Sequence, residues 1–370
     1  TTEIYTLSLH DALPICWPQS RFHLIPFLQI YPIPARPTVE PFASLVKNQY
    51  NGGMTHPKLT LSPTARRRFI LGKQGLYPGR RWRGQEGTLQ AIRSGSVVQI
   101  DPLNVIARSH DIALYGRVLE YRPTDLDALL YTHRAAFDYG GTVLIHPMEE
   151  LPYWRVVMER QQSHSRWSVF AGEHAETMDI VRETIRQRGP LGNRDFNGGP
   201  AAPARSYRSG KITGLALYAL WMTGELMTHS RKGFQRQYDL RERVAPPQLD
   251  YLASVSETED FFALLPFRER NLLTPLVWRN GFAGVIARKV SAEESAARFD
   301  AMLQSGALVE VAVTGDKKSP YYALAEDLPL LETLQAGHLP QDWTPLATTS
   351  DEEMVVLAPL EIVSARGRAS

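Results

Sequence analysis

Apolar positions recur at helical spacing over most of the chain, interrupted by short β-branched runs and turn residues. Ser62 followed by Pro63 marks a helix start, because serine caps the first turn and proline fits the first helical position. Gly75 ends that helix. The same signals predict helices over residues 62–74, 87–93, 103–118, 123–133, 149–162, 173–188, 212–223 and 293–304.

The helices at 212–223 and 293–304 are each followed by two short strands joined by a basic turn. These strands are predicted at 225–230, 234–240, 307–313 and 321–325. A helix followed by a basic-tipped hairpin is the arrangement of a winged helix. The sequence therefore predicts an α+β protein, mainly α, built of tandem winged-helix (helix-turn-helix) units.

Both ends of the chain depart from this pattern. Residues 1–15 resemble translated sequencing adapter, and residues 16–53 are proline-rich without a clear period. We expect residues 1–53 to be a non-native or disordered leader and Met54 to be the native start. The strand-like run 354–360 is not followed by a closing element, so we expect a truncated C-terminal β domain. The predicted units are residues 54–165, 166–247 and 248–345, followed by 346–370.

The composition indicates a globular protein and excludes several other classes. The 370 residues suit two or three domains, and 43% hydrophobic with 22% charged residues is typical of globular chains. Cys16 is the one cysteine, which excludes a disulfide framework or a cysteine-based zinc site and favours the cytoplasm. No apolar run is long enough to span a membrane. The net charge of +2 does not by itself demand a nucleic-acid partner.

The strongest candidate for chemistry is the Gln99-Ile100-Asp101 triplet at the end of a β-branched run. Side chains alternate along a strand, so Gln99 and Asp101 are expected on one face. An amide can orient a water molecule there while the carboxylate takes its proton. The alternative is structural, because Asp101 before Pro102 is also a helix cap followed by a first-turn proline. The two interpretations are compatible.

Three stretches of the chain resemble the YcaQ-type winged-helix DNA glycosylases. The first is VQIDPLNVIARSH at 98–110, the second is GELMTHSRKGFQRQYDLRERVAP at 224–246, and the third is LAPLEIVSARGR at 357–368. The resemblance covers the chain from about Leu61 onward. It implies three tandem winged helices and a small β-barrel, most of which is expected to be missing here. The chain departs from the family pattern at two places. The family often carries Trp and His in the segment that corresponds to 137–146, and it usually carries Asp where this chain has Glu361.

The resemblance implies a DNA repair glycosylase that hydrolyses the N-glycosidic bond of N7-alkylated purines, including DNA interstrand crosslinks. Gln99 would position the water and Asp101 would activate it, with no metal and no cofactor. The implied partner is double-stranded DNA carrying alkylated or crosslinked purines, bound by a monomer in the cytoplasm (the bacterial nucleoid), with no membrane involved.

The candidate DNA-binding residues are basic or lie close to the triplet. They are Arg108, His110, Lys211, Arg231 and Lys232. Arg108 and His110 are two residues apart on the predicted helix and do not share a face, so we do not expect both of them in one cleft. Each is either DNA-facing or at the edge of the core. The lysines and Arg231 would contact phosphates without sequence preference, or form a solvated basic turn. Tyr115 and Tyr139 either stack on DNA or belong to the core.

A second function remains open from the sequence. The chain could be a non-catalytic winged-helix transcription regulator, in which Gln99-Ile100-Asp101 is only a strand end and a helix cap. A regulator is expected to dimerise and to prefer a DNA sequence, whereas a glycosylase is expected to bind duplex DNA as a monomer. The structural test is whether Gln99 and Asp101 lie by a basic cleft or under packed core.

Overall fold

The computed structural model describes residues 58–95, 98–101, 104, 106–196, 211–316 and 320–346. The described helices are α1 (Pro63–Lys73), α2 (Gly84–Arg93), α3 (Ser109–Tyr115), α4 (Pro123–Asp127), α5 (Leu151–Gln162), α6 (Ser165–Glu173), α7 (Ala175–Arg188), α8 (Ile212–Met222), α9 (Arg241–Val244), α10 (Val255–Arg270), α11 (Pro275–Val285), α12 (Ala292–Gln304) and α13 (Leu328–Gln335). The described strands are β1 (Leu59–Leu61), β2 (Trp82–Arg83), β3 (Val118–Leu119), β4 (Ala136–Tyr139), β5 (Leu144–Pro147), β6 (Leu226–Lys232), β7 (Gln235–Leu240), β8 (Leu308–Val313) and β9 (Tyr321–Leu324). The fold is therefore α+β and mainly helical, as predicted, with small sheets.

Helix α1 begins and ends where its sequence signals place it. The Ser62 hydroxyl accepts a hydrogen bond from the Ala65 amide at 3.1 Å, and Pro63 is the first helical residue. Gln74 caps the other end, and Gly75 follows with φ of 75°, a left-handed conformation that glycine adopts without strain. Local side-chain chemistry was sufficient to predict this element.

A three-stranded sheet joins the start of the described chain to its end. Strand β1 pairs in parallel with β8, placing Leu59 opposite Val311, and β8 pairs antiparallel with β9. Its core contains Leu61 and Phe69 together with Val311. The β8–β9 hairpin was predicted from the sequence, but the addition of β1 was not. The predicted unit boundaries stay predictions, although β1 and α1 pack on elements more than 200 residues further along the chain.

Close packing at Gly72 predicts a measurable stability difference between two helical glycines. A Cβ at Gly72 would lie 1.9 Å from the Trp343 ring, whereas a Cβ at Gly172 meets no atom within 4 Å. We expect Gly72→Ala to lower the free energy of unfolding by about 1–3 kcal/mol through overpacking. Gly172→Ala should leave it unchanged or raise it by up to about 1 kcal/mol through helix propensity. Urea unfolding of both variants tests this, and an unchanged stability in Gly72→Ala would contradict it.

The segment around Asp101 differs from the prediction. Helix α3 begins at Ser109 with Arg108 as its N-cap residue, and Asn104 forms an isolated β-bridge with Arg108. The predicted helix over 103–118 is therefore too long, and Asp101 does not cap it. This bridge reverses the direction of the chain before α3. Ile106 lies within the reversal and is 95% exposed, whereas the predicted helix would have buried it. Between α4 and β4, the chain forms a π-helical turn, Ala128–Thr132.

The middle of the chain contains the first of the two predicted helix-plus-hairpin arrangements. Helix α8 is almost entirely buried, with Trp221 in its last turn, and leads into the antiparallel hairpin β6–β7. A bulge between Thr228 and Ser230 interrupts the hairpin register. Helix α12 and the hairpin β8–β9 form the corresponding arrangement downstream. Helices α6, α9, α10, α11 and α13 had not been predicted.

Several predictions fall outside the described residues. They are the leader 1–53 with Met54 and Cys16, and the C-terminal segment 347–370 with the third family-like stretch and Glu361. Within the described ranges, none of the four sheets closes into a barrel. None of the described helices is both long enough and apolar enough to cross a bilayer.

Candidate active site

The Gln99–Asp101 segment is extended and lies along the β4–β5 hairpin. Gln99 forms a bridge with Leu144, and the Ile100 amide donates to the Val143 carbonyl oxygen at 2.9 Å. Val98 and Ile100 are buried in a cluster with residues of α2, α4 and β5. Gln99 and Asp101 are half-buried on the opposite side, as strand alternation predicts. One face of the segment is anchored in core and the other carries the two polar side chains.

The start of α3 returns to Asp101. The Asp101 amide donates to Nδ1 of His110 at 3.4 Å, and the His110 side chain is almost fully enclosed. Burial is the largest influence on the pKa of His110 and lowers it. The carboxylates of Asp111 and Asp101 raise this pKa and the guanidinium groups of Arg108 and Arg231 lower it, so the net shift is downward. His110 is therefore a neutral imidazole at pH 7.

A cleft of about 370 Å³ lies beside this segment. Its lining comes from the segment itself, from α3, α4 and the π-helical turn, and from the tip of the β6–β7 hairpin. These residues are Ile100, Arg108, His110, Thr124, Leu126, Asp127, Ala128, Leu130, Tyr131, Thr132, Ser230, Arg231, Gly233 and Phe234. Among the described residues, neither Gln99 nor Asp101 lines the cleft. His110 lines the cleft and accepts a hydrogen bond from the Asp101 amide. Arg108 and His110 both line the cleft, contrary to expectation, because Arg108 precedes the helix as its N-cap residue.

Two guanidinium groups flank the ring of Phe234 at the hairpin tip. The Cζ atoms of Arg108 and Arg231 each lie 5.1 Å from the ring centroid, a cation–π distance. The Nε atom of Arg108 is buried without a hydrogen-bond partner among the described residues. This side of the cleft therefore carries concentrated positive charge with one donor group unused.

Arg231 is fixed by contacts to the π-helical turn and to β4. Its Nε donates to the Tyr131 hydroxyl at 2.8 Å, and its Nη2 donates to the Asp138 carboxylate. Only 1% of the Asp138 side chain is exposed, and Arg236 also pairs with it at 3.4 Å. Burial would raise the pKa of Asp138, but Arg236 and Arg231 outweigh burial and hold it below its usual range. Arg134 adds a hydrogen bond to the His229 carbonyl oxygen at 2.9 Å.

Asp138 and the cleft wall were missed from the sequence. The signal for Asp138 was present, because a single acid between Phe137 and Tyr139 in a strand-like run requires a buried partner. Tyr139 itself belongs to the core, and its hydroxyl donates to the Met222 carbonyl oxygen. Tyr115 is half exposed and packs edge-on against Tyr121.

The π-helical turn forms much of the cleft wall. The His133 amide donates to the Ala128 carbonyl oxygen at 2.8 Å, five residues back, which widens the helix. Ala128, Leu130, Tyr131 and Thr132 all line the cleft. Such turns occur frequently at functional sites.

The remaining predicted DNA contacts lie apart from this cluster. Lys232 is exposed at the end of β6, opposite Gln235. Lys211 precedes α8, and its ammonium donates to the Phe196 carbonyl oxygen at 2.7 Å. The structure thus brings Asp101, His110, Arg108 and Arg231 together, while Lys211 does not line the cleft. In the part of the chain that the structure describes, no three His, Cys, Asp or Glu side chains are grouped to hold a metal ion.

Comparison with known proteins identifies the family. The model of the DNA glycosylase AlkZ-like family matches residues 92–350, which is more than half of the chain. The fold is similar to that of the Streptomyces sahachiroi DNA glycosylase AlkZ, with a TM-score of 0.52 and 13% sequence identity over 74% of this chain and 72% of that one. The resemblance found in the sequence is confirmed. The chain belongs to the AlkZ-like DNA glycosylase family and is a DNA glycosylase of DNA repair.

Proposed function

We propose that this glycosylase hydrolyses the N-glycosidic bond of N7-alkylated purines in duplex DNA, including purines joined in interstrand crosslinks. Gln99 positions the attacking water and Asp101 activates it. The observation that carries this proposal is the extended segment at 98–101, in which half-buried Gln99 and Asp101 alternate with buried Val98 and Ile100. His110 links this pair to a cleft with two guanidinium groups, a surface suited to a polyanion.

The chemistry of the lesion explains why one carboxylate would suffice. An N7-alkylated purine carries a positive charge, so its departure neutralises the ring and no strong general acid is required. The N9–C1′ bond breaks with its electrons moving to the base, and the water oxygen forms the new bond to C1′. Asp101 stabilises the oxocarbenium-like sugar and takes the proton of the water. Gln99 fixes the water through its amide.

The proposed DNA contacts are Arg108, His110, Lys211, Arg231 and Lys232. Arg108 is the best supported of them, because its Nε has no partner among the described residues and its guanidinium group lines the cleft. Arg231 is already paired with Asp138, so it would present only part of its charge to a phosphate. Exposed Lys232 would bind the backbone without sequence preference.

We also propose that the described elements form tandem winged helices within the units 54–165, 166–247 and 248–345. Support comes from the arrangement of α8 before the hairpin β6–β7 and of α12 before β8–β9. In this interpretation the β6–β7 tip is a wing whose Phe234 and Arg231 lie against the first unit. The protein is proposed to act as a monomer on duplex DNA.

Release of the free base tests the proposal. The chain is incubated with a duplex containing one 7-methylguanine, with a nitrogen-mustard crosslinked duplex, and with an undamaged duplex as control. We expect release of the alkylated base and unhooking of the crosslink, with no release from undamaged DNA. A folded chain that binds these duplexes and releases no base would contradict the proposed substrate, and dimeric, sequence-selective binding would instead favour a regulator.

A further inference from the structure

The buried side chains of Tyr121, Asp111 and His110 contact one another in that order, and His110 contacts the Asp101 backbone. The Tyr121 hydroxyl donates to Oδ1 of Asp111 at 2.7 Å, and Oδ2 of Asp111 lies 3.9 Å from Nε2 of His110. On its other side, His110 accepts the Asp101 backbone amide through Nδ1. The exposed fractions are 4% for Tyr121, 6% for Asp111 and 7% for His110. A buried polar series of this kind is expensive to build unless each member is satisfied.

The direction of the hydrogen bond between the Asp101 amide and His110 assigns the state of the imidazole. An amide N–H can donate to Nδ1 only when that nitrogen carries its lone pair, so the ring proton lies on Nε2 and faces Asp111. A charged imidazolium would place a second N–H against the Asp101 amide. The groups around the ring favour the neutral form, because burial and the cations Arg108 and Arg231 oppose a further charge more than Asp111 and Asp101 support it.

We propose that His110 is a positioning residue for Asp101, and that Asp111 and Tyr121 fix the imidazole in the required orientation. The inference rests on the proposed catalytic role of Asp101. His110 holds the Asp101 backbone at the point where the chain leaves the β4–β5 edge, and so sets where the carboxylate lies relative to Gln99. At 3.4 Å the hydrogen bond is long. This role differs from the DNA contact expected of His110 from the sequence.

Two substitutions at His110 separate positioning from mere folding. The side-chain oxygen of asparagine can occupy the place of Nδ1 and accept the Asp101 amide, whereas alanine cannot. We expect His110→Ala to lower the single-turnover rate of 7-methylguanine release by about 10–100-fold, as small displacements of a reacting group do. The rate is measured at enzyme concentrations that saturate the duplex, so that loss of the proposed DNA contact of His110 does not contribute to it. His110→Asn should recover most of the rate. Equal rates in wild type and His110→Ala would overturn the inference.

A more conservative substitution, at Tyr121, tests the same inference if the His110 variants do not fold. Tyr121→Phe removes only the hydroxyl that orients Asp111, and should lower the rate without changing DNA affinity. Tyr115→Phe is the matched control, because the Tyr115 hydroxyl forms no hydrogen bond with a described residue and its ring packs on the same tyrosine. Equal rates in these two variants would contradict a role for the Tyr121–Asp111 pair.

The acid side of the pH–rate profile supplies a signature that a structural role would not produce. In the wild type, protonation of His110 removes the acceptor of the Asp101 amide, so the rate should fall on the acid side at a pH below the usual range of an imidazole. His110→Asn carries no imidazole there, so this step should be absent from its profile. The same acid-side step in both proteins would overturn the inference. If Asp101→Asn itself retained full activity, the proposed function would fail instead, which distinguishes the two results.

Discussion

Asp101→Asn is expected to lower the rate of base release from a 7-methylguanine duplex by about 100-fold or more, the range over which a positioned acid or base acts. Asparagine keeps the shape of the side chain but can neither take a proton from water nor stabilise positive charge on the sugar. Asp101 lies at an accessible edge, while the hydrophobic core is formed by its neighbours Val98 and Ile100, so the fold and DNA affinity should be retained.

Rate and affinity must be measured on the same preparations to interpret that loss. Asp179→Asn is the control, because it removes one carboxylate from an exposed ion pair with Arg182 on α7. Gln99→Ala should reduce the rate less than Asp101→Asn, since water can still reach the carboxylate. An Asp101→Asn protein with nearly wild-type release would show that the carboxylate does not carry the reaction. Loss of DNA binding along with release would indicate damage to the fold.

Asp138→Asn is expected to lower the free energy of unfolding by about 3–5 kcal/mol, the cost of removing one partner from a buried ion pair. The substitution leaves Arg231 and Arg236 enclosed without their shared carboxylate. Chemical denaturation near pH 7 measures the effect. The exposed pair of Asp179 and Arg182 again serves as control, since Asp179→Asn should cost no more than about 1 kcal/mol. A loss below that value for Asp138→Asn would contradict the structure of this site.

The pH dependence of stability provides a second test of the role of Asp138. The pKa of Asp138 is lowered in the folded protein, so its stabilising contribution is fully present above the unfolded value of about 3.9. It is lost as the pH falls below that value and through the lower folded pKa. The wild type should therefore lose its advantage over Asp138→Asn progressively on acidification below about pH 4. A difference that stayed constant down to pH 2 would exclude this linkage.

Elements with a local cause could be predicted from the sequence. Ser62 and Pro63 start α1 through contacts within one turn, and the β6–β7 hairpin follows from alternating residues around Gly233. The shared face of Gln99 and Asp101 likewise needs only strand alternation. Local signals also misled, because Asp101 and Pro102 form a plausible helix start, while the Asn104–Arg108 bridge delays the helix to Ser109.

The features that could not be predicted depend on residues far apart in sequence. The pairing of Leu59 with Val311 has no local signal, because either strand could have remained at an edge. Helix α10 has a capping box at Ser254, yet Pro266 in its interior weakened the helical pattern. Likewise the cleft forms only when residues near 130 meet the hairpin tip near 231, so Asp138 and Tyr131 could not be assigned to the site from spacing alone.

The π-helical turn makes the shape of the cleft sensitive to chain length rather than to side-chain identity. A π-turn accommodates one residue more than an α-turn. Removing a single residue there would let helix α4 continue regularly and rotate the residues after it by about 100°. Tyr131 would then leave the guanidinium group of Arg231, and the wall formed by Ala128–Thr132 would turn away from the hairpin. Single-residue insertions and deletions in this turn are therefore expected to change the width of the cleft while leaving the rest of the framework unaltered.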